Sequence, residues 1–209
     1  MTDIIKIIDK HHLERTPLPS TSSRFSDSPL YALPIMTSAP STLSSHLDKT
    51  WADQLVPLLN VLLSDFEVFR FNLRGALWNG WGEQYTLLRD ILPGHIEHAQ
   101  SAVDVLGRRV RCLEGLPPVS IEAVLEMSNL GAHEGAFHDR ACMRMVRESF
   151  SHLLRLEREL LTTAQYAGDE VTARCISELM QFQEEALWHL RSSLKRSAFE
   201  TEYLRKEQG

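Results

Sequence analysis

Nine histidines stand among the 209 residues, and a few sit where neighbouring side chains can turn them to chemistry. His95 and His98 are one helical turn apart with Glu97 between them, and imidazole with carboxylate is a donor set for a transition metal. The competing reading is that His95 packs in a helical core and His98 is a polar surface residue. His133-Glu134 and His138-Asp139 offer the same donor types before a long helix, as an adventitious metal site or as solvated loop polarity. His11-His12 stands on the same footing. A di-metal bundle site built on Glu-x-x-His lacks support: no histidine has a Glu three residues before it, and only Asp9 before His12 comes near. Cys112, Cys142 and Cys175 form no Cys-x-x-Cys pair. No phosphate-cradling glycine loop, nucleophile elbow or zinc motif is present.

Helices must position these residues. Leu55, Leu58, Leu59, Leu62, Phe66, Phe69, Leu73 and Leu77 recur at spacings of three and four, the apolar face of a long helix. Asn79-Gly80-Trp81-Gly82 predicts a turn. A second helix is expected from Glu83 to Cys112, with Leu88, Ile91, Ala99, Val103, Leu106 and Val110 inward and Gly115 and Pro117-Pro118 ending it. Pro93-Gly94 inside it should kink or break it, at about 3 kcal/mol in an undisturbed helix. A short helix is expected over Ser120–Ser128, a loop over Gly131–Gly135, a third long helix over Phe137–Tyr166 and a fourth from Asp169 to Ser197. Met127, Met143, Met145 and Met180 read as core filler, and Trp51, Trp81 and Trp188 as groups packed at bundle ends or interfaces. No sheet-like alternation of useful length appears. The fold class is all-α, a four-helix bundle with a short helix between the second and third long helices.

The bundle is expected over residues 50–198, with a tail over 199–209 and a flexible extension over 1–49. Between Thr16 and Ser45 lie nine Ser, four Thr and five Pro, too little apolar surface to offset ordering. Ile4-Ile5-Lys6-Ile7-Ile8 either docks as a strand or helical turn or frays with the terminus. The extension's charges cancel, so the net charge of −6 sits on residues 50–209. Bulk charge therefore argues against a strongly basic nucleic-acid binder. A hydrophobic content of 43% excludes global disorder. No apolar run reaches the about 18 residues a membrane span needs. A secretory leader is not expected, and the cysteine usage predicts a reduced cytoplasm.

Leu77-Trp78-Asn79-Gly80-Trp81-Gly82 resembles the HWNxxG signature of the Dps family (DNA-binding protein from starved cells, the mini-ferritins), and Asp104-Val105-Leu106-Gly107-Arg108-Arg109 resembles its D-x-x-A-E-R. The interval between them matches without a gap. Gly115-Leu116-Pro117-Pro118, the Ala167–Ala173 segment and Leu187-Trp188-His189-Leu190-Arg191 resemble its later motifs, so the likeness runs over residues 50–195. It implies a ferritin-like bundle, twelve subunits in a hollow shell, oxidation of Fe(II) by peroxide at a site between two subunits, iron storage and, in many members, DNA protection. Trp78 and Asn79 are assigned to the turn.

The resemblance also implies a ligand set, from which the chain departs. Leu77 and Arg89 stand where the family has histidines, Pro93 where it has an Asp, and Arg108 where the neighbouring subunit supplies a Glu; Asp104 alone is kept. A guanidinium carries N–H donors and no acceptor, so it cannot ligate iron. Ion pairs are expected in place of the metal: Asp104 with Arg108, favourable by roughly a few tenths of a kcal/mol at that spacing, and Arg89 reaching across a two-fold interface. Leu77 continues the apolar stripe. The alternative is a centre relocated to His95, Glu97 and His98, although Glu97 shares the stripe of Arg89, Pro93, Gln100 and Asp104 and is expected to face the interface. At the implied three-fold pore, Asp169 and Glu170 match, but Arg174 stands at a further acidic position. It either projects into the pore, raising the barrier to Fe(II), or folds back onto Glu170.

Three roles stay open: a non-catalytic homo-oligomeric shell, alone or with an active paralogue; a ferroxidase with a relocated or weakened site; and an interaction protein whose Ser/Pro-rich extension recruits a partner. No cofactor is assigned beyond iron as cargo. DNA contact would rest on Lys195, Arg196, Arg205 and Lys206: with Arg191 they stand against Glu200, Glu202 and Glu207, a net of +2 over residues 191–209. The expected location is cytoplasmic, and nucleoid-associated if DNA binds.

Overall fold

The computed structural model describes residues 47–135 and 137–207, with side chains through Ser192. The Ser/Pro-rich segment over 1–46, its isoleucine patch and His11-His12 lie outside these residues.

Four long helices and one short one make the bundle: α1 Lys49–Asn79, α2 Tyr85–Cys112, α3 Ile121–Met127, α4 Asp139–Tyr166 and α5 Glu170–Glu207. Asp48 caps α1 by accepting from the Thr50 amide at 2.8 Å, and Ser120 caps α3 by accepting from Ala123 at 3.1 Å. The apolar faces close on one core. Phe66, Phe69, Leu73, Leu92, Leu106, Phe150, Leu153 and Leu160 are fully buried, each worth about 1.5–3 kcal/mol in transfer from water. Phe69 and Phe150 meet edge to face at 5.0 Å, joining α1 to α4. Among the described residues no helix is long and apolar enough to cross a membrane.

Several expectations need correction. Helix α2 runs unbroken through Pro93. Pro93 and Arg89, whose carbonyl loses its partner, are exposed, so water can satisfy that carbonyl, while buried Leu92 and His95 hold the segment to the core. Helix α1 likewise carries Pro57. Helix α5 continues past Ser197 to Glu207. Met127 is exposed rather than core; Trp81 and Trp188, expected at bundle ends or interfaces, are exposed within this chain. A two-residue parallel bridge pairs Gly80-Trp81 (β1) with Phe137-His138 (β2), a length at which alternation leaves no sequence signal.

That bridge ties the first turn to the start of α4. Gly82 holds φ of +130°, and a Cβ there would meet the Asp139 carboxylate. The Tyr85 hydroxyl donates to the Leu77 carbonyl, and Asn79 to Gly75. Polar residues buried on α1 anchor the long connection to α4. Asn60 donates to the Leu116 carbonyl at 2.9 Å. Asn72 donates to Gly131 and accepts from the His133 amide, each at 2.9 Å.

Candidate functional site

One exposed stripe of α2 holds Arg89, Pro93, Glu97, Gln100, Asp104 and Arg108, at spacings of three and four that keep them on one face. Its C-terminal part borders a groove of about 990 Å³ between α1, α2 and the connection through α3, lined by Val68, Phe71, Val103, Asp104, Arg108 and Ile121. Phe71, Val119, Ile121 and Leu125 expose large apolar side chains around it.

The charges on this groove are mostly cationic. Asp104 accepts from Gln100 Nε2 at 3.4 Å. The expected Asp104–Arg108 ion pair is absent among the described residues; both side chains are exposed, where such a pair gains little. Glu67, which the sequence reading passed over, also lines the groove but is taken by Arg70 at 2.5 Å. Its signal was a Glu–Arg pair at i,i+3 beside the apolar stripe. Arg111 is tied to the Gly115 carbonyl at 2.6 Å. Leu77 is half-buried against the core. Of the positions the resemblance implies as iron ligands, Asp104 is an exposed carboxylate, and Arg89 and Arg108 share its exposed face.

His95 and His98 part company with Glu97. Glu97 is exposed, whereas both imidazoles turn inward. His95 meets Phe150 and Phe182 edge on, at 5.2 and 5.7 Å. His98 stacks on Phe182 at 3.9 Å and touches Phe66, so it is not the surface residue one reading expected. Burial lowers the pKa of each to about 4, with His95 adding to the effect on His98. His95 Nδ1 and His98 Nε2 have no protein partner. Among the described residues no three His, Cys, Asp or Glu side chains come together as a metal site.

The other candidates serve as caps and pairs. His138 caps α4 and lies 2.9 Å from Asp139, itself buried, so this pair is not solvated loop polarity. Burial opposes ionisation of Asp139, but amide hydrogen bonds from Gln84 and Arg140, with His138 and Arg140 nearby, hold its pKa below the usual carboxyl range. Asp169 is no pore-lining acid within this chain. It is buried, it forks onto Arg109 Nη2 at 2.7 and 2.6 Å, and it accepts from Thr172 at the start of α5. Glu170 is exposed. Arg174 pairs forward with Glu178 at 3.0 Å, not back onto Glu170. Lys195, Arg196, Arg205 and Lys206 fall on α5, beyond the described side chains.

No protein-family model matches the chain. A Dps protein from Vibrio cholerae O1, described as a member of a broad superfamily of ferritin-like diiron-carboxylate proteins, is 30% identical. The alignment covers 76% of this chain and 99% of that one, with a TM-score of 0.72. A dodecameric thioferritin from Bacteroides fragilis shares the fold at 18% identity and a TM-score of 0.69, over 77% of this chain and 94% of that one. A "DNA protection during starvation protein" from Porphyromonas gingivalis is 25% identical over 63% of this chain and 83% of its own length.

Proposed function

The chain belongs to the Dps family of mini-ferritins, and on that premise we propose that it is a shell subunit that does not oxidise iron at the site between two subunits. One observation carries the reading. The exposed face that should present ligands presents Arg89 and Arg108, with Asp104 as the remaining carboxylate of the implied set. Two guanidinium groups repel Fe(II) as well as failing to bind it.

The groove beside Asp104 and Arg108 supports assembly. A second copy is the occupant that would cover its apolar rim, since a monomer rarely leaves so much contiguous apolar surface in water. Cross-interface pairs of Arg89 and Arg108 with acids of that copy take the place of metal coordination. A shell of twelve, as in the Bacteroides fragilis neighbour, is the state proposed, either alone or mixed with an active paralogue. DNA shielding is the remaining part of the role, resting on Lys195, Arg196, Arg205 and Lys206 repeated around the shell.

Mixing Fe(II) and peroxide with the protein and following ferric formation by ultraviolet absorbance tests the central claim. The expected rate is that of buffer. A saturable acceleration that Asp104→Ala abolishes would overturn it. Sedimentation should give a particle of twelve chains; a monomer or dimer defeats the shell. Free migration of DNA at large protein excess and low salt would leave the shell without a DNA role.

A further inference from the structure

Glu157 on α4 and Gln183 on α5 face each other in the core, both at 0% exposure. The amide donates from Gln183 Nε2 to Glu157 Oε1 at 2.5 Å, and its second hydrogen reaches the Leu179 carbonyl at 3.4 Å. Two atoms of the pair are then left over: Glu157 Oε2 and Gln183 Oε1, both buried and without a partner. Two acceptors with nothing to accept is a costly arrangement for a carboxylate. One proton resolves both. Were Oε2 protonated, its hydroxyl would have Gln183 Oε1 to donate to while the amide donates to Glu157 Oε1, and the closed ring of two hydrogen bonds would satisfy every polar atom of the pair.

We propose that Glu157 is carried as a neutral carboxylic acid, that its acid–amide ring with Gln183 latches α4 to α5, and that alkalinity opens the latch by removing the shared proton. This goes beyond the shell reading and stands independently of it. Burial raises the Glu157 pKa to about 8, opposed by the Gln183 hydrogen bond and Arg158, with Glu184 adding to the rise. Arg158 and Glu184, the charges that act on it from α4 and α5, pair with each other at 2.7 Å. Of the ionisable groups that other helices turn inward, α1 supplies Asp65, engaged by His152, and α2 supplies His95 and His98. On α5, Asp169 is locked to Arg109.

The sign follows from linkage. A carboxyl whose folded pKa lies above its unfolded value of 4.5 stabilises fully below that value. The contribution is lost as pH rises through the folded pKa. His95 and His98, with folded values of about 4 against 6.5, act below pH 6.5, so the window from 6.5 to about 8 isolates Glu157. Infrared difference spectra of the assembled protein test it. At pH 6.5 a protonated-carboxyl carbonyl band should be present, be missing in Glu157→Gln and fade as pH rises past about 8. The unfolding midpoint should fall from pH 6.5 to 8 in the unaltered protein but stay level in Glu157→Gln, whose amide–amide ring needs no shared proton. No such band at pH 6.5, or the same fall in both proteins, would overturn the proposal. If Glu157→Gln does not assemble, Gln183→Met replaces it. There the band must move to the higher frequency of an unbonded carboxyl, and a band that stays put refutes the ring.

Discussion

Asp65 on α1 and His152 on α4 meet at 2.8 Å, and the carboxylate's other oxygen gathers the Ser128 hydroxyl at 2.8 Å and the Asn129 and Leu130 amides at 2.6 and 3.3 Å. Arg155 lies 2.9 Å from His152 Nδ1. Because an arginine only donates, Nδ1 accepts and Nε2 carries the hydrogen that Asp65 receives. One buried acid thus joins two helices to the segment that leaves α3. The arrangement resembles a catalytic dyad only superficially: the carboxylate is spent on the Ser128 hydroxyl and two backbone amides, and Arg155 takes the imidazole's other nitrogen.

Asp65→Ala should therefore destabilise strongly. It removes the acceptor for part-buried donors from four residues, Ser128, Asn129, Leu130 and His152, at about 1–3 kcal/mol for each group left unsatisfied, so a total loss of about 3 kcal/mol is expected after partial hydration. Asp104→Ala, at an exposed position of α2, should cost under about 0.5 kcal/mol. Urea unfolding at one protein concentration compares them, and equal midpoints would show that the anchor carries no stability.

Arg109 and Asp169 make the second buried connection, from the end of α2 to the start of α5. Breaking such a pair by removing one partner costs about 3–5 kcal/mol. Arg109→Met should approach that figure, since Asp169 would keep only Thr172. The pair also sets an acid limb. Burial raises the Asp169 pKa, but Arg109 and Thr172 outweigh it and hold the folded value below 3.8. Its stabilisation is present above 3.8 and lost as pH falls through the folded value. The loss of stability between neutral pH and pH below 3.8 should shrink in Arg109→Met, which has no such pair to lose; an undiminished loss would assign the acid limb to other groups.

His95 and His98 contribute with the same sign from a different cause. Burial holds each to about 4 when folded, against 6.5 unfolded, so the folded bundle loses stability as pH falls from 6.5 through 4. Replacing both with Phe, which keeps ring contacts with Phe66, Phe150 and Phe182, should flatten that dependence. Thermal melts at pH 4.5 and 6.5 read it out, and an undiminished difference between the two melts would mean that other groups titrate there.

How much of this was legible follows from the physics of each signal. Burial imposes a helical period, so the long helices and their inward residues stand in the sequence as stripes. The inward turn of His95 was legible as one of two readings. That of His98 was not, because whether an imidazole faces solvent or Phe182 depends on a ring from α5, distant in sequence. Arg109 read as part of a motif, yet its partner Asp169 lies across the bundle, and nothing local announces the pair. Pro93 misled in the other direction. Proline's cost is stated for an undisturbed helix, and exposure of Arg89 and Pro93 lets water absorb what the ladder loses.

The unbroken course of α2 changes what a restored iron site should do. Had Pro93 broken the helix, residues 89 and 104 would not share a face, and new ligands would be displaced from Asp104. Because α2 continues from Tyr85 to Cys112, positions 89, 93, 104 and 108 stay in register. Leu77→His, Arg89→His, Pro93→Asp and Arg108→Glu, made together, should then create a carboxylate–imidazole set around Asp104 in the assembled protein. They also remove two cations that repel Fe(II). We expect saturable Fe(II) binding by calorimetry and ferric formation with peroxide clearly faster than buffer, both lost on adding Asp104→Ala. The Leu77 change removes packing at the end of α1 and should cost about 1–3 kcal/mol, so assembly must be checked first. A quadruple variant that assembles yet binds no Fe(II) would place the obstacle in the geometry between subunits and not in the substituted side chains.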